Sequence, residues 1–544
     1  MTSDILGSIH ISACQRALSD EAILTRIIWF CEMHGAGRIA LARTSKMFFQ
    51  PAIKPLWKTC FSLLPLLKLL PEDCWDTLEK LGPNARTVTI FALKRNLTPK
   101  DCERLRLYAK YISWIYHDSL ETWAHYNVFY QLKQACGSDS LTPHLSSLTW
   151  IVADEDFFPA YTLFVHPDLP TLYVSLLPRT GGTTKGRFAA LMNLSIICPN
   201  LVDLHLHDST DFDAVTLASP MVLGFSTLGT LEIDGVSSDV FMYLTQFDNL
   251  RGLTIGKVDN IDWIAVRQYV GPNLAFPKLA KLSIRCSTFT SSIELLRLRK
   301  PPLSTLCVIL QGICTRDEWI ELLHAVREQC EGNTLESLEL CDRPRPVDDA
   351  VGGEPTPAPP VQPSLTMEHI QPFLSLRSIQ RLSFTPACGT DLNDDNICAI
   401  AQALPRLEKL ELHTDNRNPS PLHWQKLTIA SLVHLARYCP DICHISMWFD
   451  ASSLALDLAR SRLKSEDLQR HKQFIFLSTG NSSIDDPEAV AAFLEELFCS
   501  GHLLPRPGSP LAGEEAEAPL FRDRWTKVRA ILRSKIASTT GIIY

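Results

Sequence analysis

Four short stretches of this chain hold residue types that can do chemistry. GGTTKGRF (181–188) sets Gly181 and Gly186 at the spacing of a phosphate-cradling loop. That loop needs Lys and then Ser or Thr, one to reach the terminal phosphates and one to bind magnesium through its hydroxyl. Arg187 and Phe188 stand there instead, so a glycine-rich loop is expected and no nucleotide site. GFSTLG (224–229) is one residue out of register for a nucleophile elbow and precedes a strand pattern, where the elbow needs a helix. CPDICH (439–444), with His434 upstream, gathers Cys439, Cys443 and His444. Zinc needs four ligands that converge tetrahedrally. Here the strand register turns His444 outward while Ile442 and Ile445 turn inward. Asp394 and Asp395 sit where a helix begins, a place where carboxylates cap N–H groups and complement the helix dipole. The expectation is a non-enzymatic chain with no catalytic residue, no metal and no cofactor.

The elements that would hold these residues repeat. SSLTWIV, PTLYVSL, PNLVDLHL, STLGTLEI, DNLRGLTI, PKLAKLSI, PPLSTLCV, NTLESLEL, RSIQRLSF, PRLEKLEL and PDICHISM follow one another with the pattern apolar–x–x–apolar–x–apolar. Each reads as a short half-buried strand by its period of two. Leu204, Leu231, Leu253, Leu282, Leu306, Leu338, Leu382, Leu410 and Ile445 mark the second apolar position, 22 to 44 residues apart. Helical patterns fall between them. TRDEWIELLHAVREQC has the Thr315/Glu318 spacing of a capping box and puts Trp319, Leu322, Leu323 and Val326 on one face. DDPEAVAAFLEELF starts with Asp485 or Asp486 as cap and Pro487 in the first turn. One strand and one helix per repeat is the leucine-rich-repeat plan, in which stacked neighbours bury what a single unit cannot. The expected fold class is α/β: a small helical module, then an irregular leucine-rich-repeat solenoid. The asparagine or cysteine that usually follows the last strand leucine is replaced by Ser209, Val236, Val258 and Ser287.

Composition agrees with a folded chain. Among 544 residues, 46% are hydrophobic and 21% charged, the balance of a globular protein. A net charge of −8 argues against nucleic acid, which needs a basic face. The 17 cysteines show no spacing pattern, and MTSDILGSIH has no basic region followed by an apolar core. A reducing compartment, cytoplasmic and/or nuclear, is expected. PLWKTCFSLLPLLKLLP (55–71) is too short and interrupted to cross a membrane, which takes about 20 apolar residues. It is expected to join the first helices to the solenoid and cap its first repeat.

Residues 18–58 read as a cluster of helices: an apolar face at Ile23, Ile27, Ile28 and Cys31, a break at Gly35 and Gly37, a helix from about Arg38 to Phe49, and another begun by Pro51. This segment resembles an F-box. Leu18 and Glu21 match its start, Ile27 and Ile28 its first apolar pair, Ile39 the head of the next helix, and Ala42, Thr44, Ser45 and Lys46 the following register. Ser19 stands where a proline is usual, and Thr44 and Ser45 replace Val-Cys. With Ala52, Leu56, Trp57, the Ser62–Pro71 run, FIFLSTGNSSIDDPEAVAAFLEELF (474–498) and RDRWTKVRAIL (522–532), the chain is similar to mushroom-type fungal F-box proteins with a leucine-rich tail.

That resemblance implies a substrate-recognition subunit of a Skp–cullin–F-box ubiquitin ligase. Its partners would be a Skp-type adaptor and, through it, a cullin–RING ligase, plus an unknown protein substrate, with no nucleic acid and no membrane. Leu18, Ile23, Ile27, Ile28, Ile39 and Leu41 would meet the adaptor. His205, Glu232, Arg285, Glu339, Glu411 and Trp448, between the inward leucines, would meet the substrate, with Trp448 as the exposed anchor. A repeat scaffold with a degenerate module and no ligase role fits the same residues. The expected organisation is a tail (1–17), the F-box-like module (18–58), a helical connector and cap (59–140), the solenoid (141–500) with a disordered insertion (341–364), a flexible loop (501–520) and a C-terminal helix (521–544).

Overall fold

Each copy of the apolar pattern forms one short strand, and the strands pair in parallel because a helical segment carries the chain back before the next one begins. The computed structural model describes residues 20–540 apart from 31–34, 82–86, 120–123, 125–126, 138–139, 153–154, 177–190, 209–218, 273, 299–302, 313, 331–333, 343–363, 387, 413–425, 465–474, 481, 499–502 and 508–517. It divides into two units, Met1–Asp234 and Gly235–Tyr544.

The first unit opens with three helices, α1 (Glu21–Phe30), α2 (Gly35–Thr44) and α3 (Lys46–Lys58). Asp20 caps α1, its Oδ1 accepting from Ala22 N (2.9 Å) and Ile23 N (3.2 Å). Ser45 Oγ accepts from Met47 N at 3.2 Å, which ends the expected Arg38–Phe49 helix at Thr44 and starts α3 at once. Pro51 therefore lies inside α3, as does Pro55, and does not begin a helix. Ile28, Ala42 and Ala52 form the core of the module, with Leu41, Phe49 and Ile53 against it.

The chain then enters β1 (Thr59–Cys60), an antiparallel pair β2 (Trp75–Leu81) and β3 (Thr87–Leu93), and the parallel strands β4 (Trp114–Ser119), β5 (Ser147–Val152), β6 (Thr171–Leu176), β7 (Asp203–Asp208) and β8 (Thr230–Ile233). The parallel order is β1-β4-β5-β6-β7-β8. Residues 59–140, expected as a helical connector, thus already carry strands, β4 among them. The 55–71 run is the joint: Lys58 O accepts from Ser113 N (3.0 Å) as α3 passes into β1, and Leu63, Leu66, Leu67 and Leu70 are buried.

In the second unit β9 (Gly252–Ile255), β10 (Lys281–Cys286), β11 (Thr305–Leu310) and β12 (Ser337–Asp342) are followed by a small parallel pair, β13 (Leu365–Thr366) and β15 (Thr390–Asp391). The main order continues through β14 (Arg381–Thr385), β16 (Lys409–Glu411), β17 (His444–Ser446), β18 (Ile475–Gly480) and β19 (Leu503–Pro507). Leu253, Leu282, Leu306, Leu338, Leu382, Leu410, Ile445 and Leu477 lie side by side in register and are all buried. Thr315 and Glu318 make the expected capping box, with Thr315 N to Glu318 Oε2 at 2.7 Å and Glu318 N to Thr315 Oγ1 at 3.3 Å. Asp486, not Asp485, caps the helix Pro487–Leu497. At Asp394–Ala403 the cap is Asn393, not either aspartate.

Three further expectations change. Cys341 and Asp342, placed in the insertion, are the buried end of β12, while 343–363 lie outside the described residues. Within 501–520, expected as a flexible loop, Leu503–Pro507 is a strand against β18. Pro505 and Pro507 fit there because an edge strand tolerates a missing N–H. The last helix runs Ala518–Thr540, with Trp525, Val528 and Leu532 buried and Trp525 Nε1 donating to Ser482 O at 2.9 Å.

Trp448 is also corrected. It is only 6% exposed, not an open anchor. Strand alternation stops at Ser446, and Met447, Trp448 and Phe449 are all buried. The indole occupies the space that a Cβ of Gly480 would fill, and Gly480 has φ +51°. Gly480→Ala should therefore destabilise the protein by about 2–4 kcal/mol, from left-handed backbone strain plus overpacking. Gly137→Ala should cost only about 1 kcal/mol, since Gly137 shares the positive φ (+78°) but has nothing within 4 Å of its Cβ position. Urea unfolding of both variants checks this; equal losses would refute the packing account.

Candidate protein-interaction surfaces

Alternation sends every second strand residue away from the buried leucines, onto an open face. In the first unit these positions align across neighbouring strands. Tyr116, Thr149, Tyr173, His205 and Glu232 are register partners in turn on β4 to β8. Thr59 pairs with Trp114, and Phe61, just past β1, lies 6.4 Å from Tyr116 between ring centroids. One end of the row is aromatic and open, with Phe61 74%, Trp114 55% and Tyr116 45% exposed.

The other end is a network of acids and imidazoles. His205 Nδ1 is 2.8 Å from Glu232 Oε2, His207 Nε2 is 3.2 Å from Glu232 Oε1, and His207 Nδ1 is 3.2 Å from Asp234 Oδ1. Tyr173 covers both imidazoles at 5.6 and 5.2 Å between centroids. Burial alone would push the His207 pKa down. Its hydrogen bonds to Asp234 and Glu232 outweigh that and raise it to about 9. Hydrogen bonds from His205 and His207 hold Glu232 far below the usual carboxylate range. The pairing of His205 with Glu232 joins two expected substrate-binding residues; His207, Asp234 and Tyr173 complete the group.

In the second unit two rows run across the open face. Lys281, Thr305, Ser337, Arg381, Lys409 and His444 form one; Ser283, Cys307, Glu339, Ser383, Glu411 and Ser446 form the next. Glu411 Oε1 is 3.0 Å from Lys409 Nζ and 3.3 Å from His444 Nε2. Burial opposes ionisation of Glu411, but hydrogen bonds from His444, Lys409 and Ser383 prevail and lower its pKa to about 2. Burial and the nearby Glu339 carboxylate push the Cys307 thiol up to about 12. Glu339, Glu411 and Arg285 are half-buried on this face, on three different strands. Their separation makes them parts of a surface rather than one site.

The six adaptor residues also divide. Ile28 is 1% exposed and belongs to the module core, with Leu41 packed on it. Ile23 and Ile39 are 42% and 52% exposed, and Met47 is 46% exposed. Leu18 lies outside the described residues, and Ile27 lies on α1 with its side chain outside them.

GGTTKGRF lies outside the described residues, and GFSTLG is the turn before β8. Cys439 donates to Ala401 O and Leu404 O, and His434 Nε2 is 2.9 Å from Arg462 Nη1. Asp394 accepts from Thr428 N, Thr428 Oγ1 and Ser431 Oγ at 2.8, 2.6 and 2.5 Å, fastening the following repeat.

The exposed aromatics escaped the sequence reading for a reason visible in β4. SWIYHDS alternates like the other strands but has no leucine, because buried Ile115 and His117 take the inward places. His117 packs against Trp150 with ring centroids 4.6 Å apart and planes tilted by 39°, and burial lowers its pKa to about 4, so it sits there as a neutral ring. The signal was the alternation itself.

The His207 shift has a testable sign. Its folded pKa of about 9 is above its ordinary 6.5, so the stabilisation is complete below pH 6.5 and disappears as pH rises through 9. Thermal melting should show His207→Gln less stable than the parent by about 1–3 kcal/mol at pH 6, with the gap closing by pH 10. A gap independent of pH would contradict the charged network.

No protein family and no curated protein matches the sequence. Among solved structures, the chain is similar to one in the crystal structure of the Rad7 and Elc1 complex in yeast, with 15% identity, a TM-score of 0.35, and coverage of 72% of this chain and 88% of that one.

Proposed function

We propose that this protein is a non-enzymatic substrate receptor of a Skp–cullin–F-box ubiquitin ligase, with an F-box-like module and a leucine-rich-repeat solenoid. The observation that carries the reading is the division of labour within the module. Its own core is satisfied by Ile28, Ala42 and Ala52, yet Ile23, Ile39 and Met47 remain exposed on the same three helices. Apolar side chains left outside a module with so small a core are what a partner helix would cover. The adaptor-binding residues are then Ile23, Ile39 and Met47, while Ile28 and Leu41 hold the module together.

The repeat units provide the other half. Their open faces carry ordered polar and aromatic side chains of the kind that hold a protein ligand, and the chain makes no bonds itself. Its effect would be to raise the concentration of bound substrate near the ubiquitin-loaded enzyme. The working compartment is the cytoplasm, the nucleus or both; among the described residues no helix is long and apolar enough to cross a membrane.

Covering one exposed isoleucine contributes about 1.5–3 kcal/mol. The double variant Ile23→Asp/Ile39→Asp should therefore lose co-purification with a Skp-type adaptor while its circular dichroism and melting stay those of the parent. Ile28→Asp should lose both binding and module stability. If the intact, folded chain fails to bind the adaptor, the ligase role is wrong and the protein is a repeat scaffold.

A further inference from the structure

We propose that the open face of the first unit, from Phe61 across to Glu232, docks an extended segment of a partner protein bearing lysine or arginine side chains. This rests on the reading of the repeats as a receptor and names the chemistry of what they receive.

Two observations on one face lead there. The first is the aromatic end. Phe61, Trp114 and Tyr116 are contributed by two neighbouring strand regions and stand 74%, 55% and 45% exposed. Aromatic rings in contact with water are strong partners for aliphatic stems and for the cationic heads that end them, because the ring face attracts positive charge. The second is charge. Among the strand positions of this open face whose side chains are described, Asp203 and Glu232 are acidic, His205 and His207 are imidazoles, and none is lysine or arginine; Asp234, just past β8, adds a third carboxylate to the network. His207 balances one carboxylate, and the remaining charge on the face is negative. The second unit differs: Lys281, Arg381 and Lys409 all stand in one row of its open face.

The geometry sets the length. Neighbouring strands lie about 4.8 Å apart, so the row from β1 to β8 spans about 24 Å. An extended chain advances about 3.3 Å per residue, so about seven residues cross the face. Alternate side chains of such a segment would point at it, an aliphatic or cationic one on the Phe61–Tyr116 end and a cationic one toward Glu232. The network His205–Glu232–His207–Asp234 holds the Glu232 carboxylate in place and ionised. A carboxylate fixed before binding loses little freedom when a cation arrives.

The test uses the full chain without adaptor and two fluorescein-labelled seven-residue peptides, one alternating lysine and leucine, the other glutamate and leucine. Fluorescence anisotropy should show the lysine peptide bound at least tenfold more tightly than the glutamate peptide, with affinity falling as salt rises. Trp114→Ser/Tyr116→Ser and, separately, Glu232→Gln should each weaken it at least tenfold, whereas Leu454→Ser, an 83% exposed leucine of the second unit, should leave it unchanged. Circular dichroism of each variant guards against misfolding. Preference for the glutamate peptide, equal binding of the two, no binding, or indifference to the aromatic variants would each overturn the proposal. The adaptor experiment is separate: peptide binding without adaptor binding would leave a scaffold with this docking face, and the reverse would leave a ligase receptor whose substrate binds elsewhere.

Discussion

One constraint underlies the fold: a strand of this pattern can bury its inward leucine only if the next strand places its own beside it. The column from Leu253 to Leu477 through Leu282, Leu306, Leu338, Leu382, Leu410 and Ile445 shows the result. Burying each of these side chains contributes about 1.5–3 kcal/mol, and no repeat obtains that alone. The in-register pairing this requires also decides the opposite face. Strand parity is strict, so once the leucines are buried the residues between them must line up on the open side. The partnership of His205 with Glu232, 27 positions apart in the chain, follows from the Leu204–Leu231 pairing beneath it.

The turns between repeats are fastened without the usual asparagine ladder. Val236 and Val258 are buried in those places, and Ser287 is held by Asp259, whose Oδ2 accepts from its N and Oγ at 3.0 and 2.6 Å. Later in the chain carboxylates do similar work. Asp394 binds Thr428 and Ser431, and Asp450 accepts from Ser452 N at 2.9 Å and Ser483 Oγ at 2.7 Å. Such carboxylates are occupied by backbone and hydroxyl donors from their own turn and from the next repeat. They specify how one repeat meets another.

Charge on the open faces is organised in the same lateral way. In each unit a carboxylate is held by imidazole or ammonium groups across the sheet: Glu232 by His205 and His207 of the adjoining strand, Glu411 by Lys409 of its own strand and His444 of the next. These pairs are partly buried, so they are less screened than surface ion pairs, and they fix side chains that would otherwise sample many rotamers. A face with preset charges can discriminate between ligands by complementarity more than by area.

The repeat pattern was readable because it is local: alternation within six residues announces a strand, and all eleven quoted segments become parallel strands in the order expected. The capping box at Thr315 and Glu318 was readable for the same reason, since both partners lie within one turn. What escaped depends on neighbours distant along the chain. β4 hides its role because an imidazole replaces a leucine, and the neutral ring is accommodated by packing against Trp150 from the next strand. The Leu503–Pro507 strand looks like a loop until β18 lies beside it. Ile28 and Ile39 are equally apolar letters, but the packing of α1 to α3 sends one into the core and leaves the other in water. Trp448 could be numbered outward by parity, yet parity ends with its strand, and the space left by Gly480, 32 residues later, draws the indole inside. Periodicity along the chain carries the strand and its two faces; exposure at any one position is settled by whichever side chains the fold brings across from other repeats.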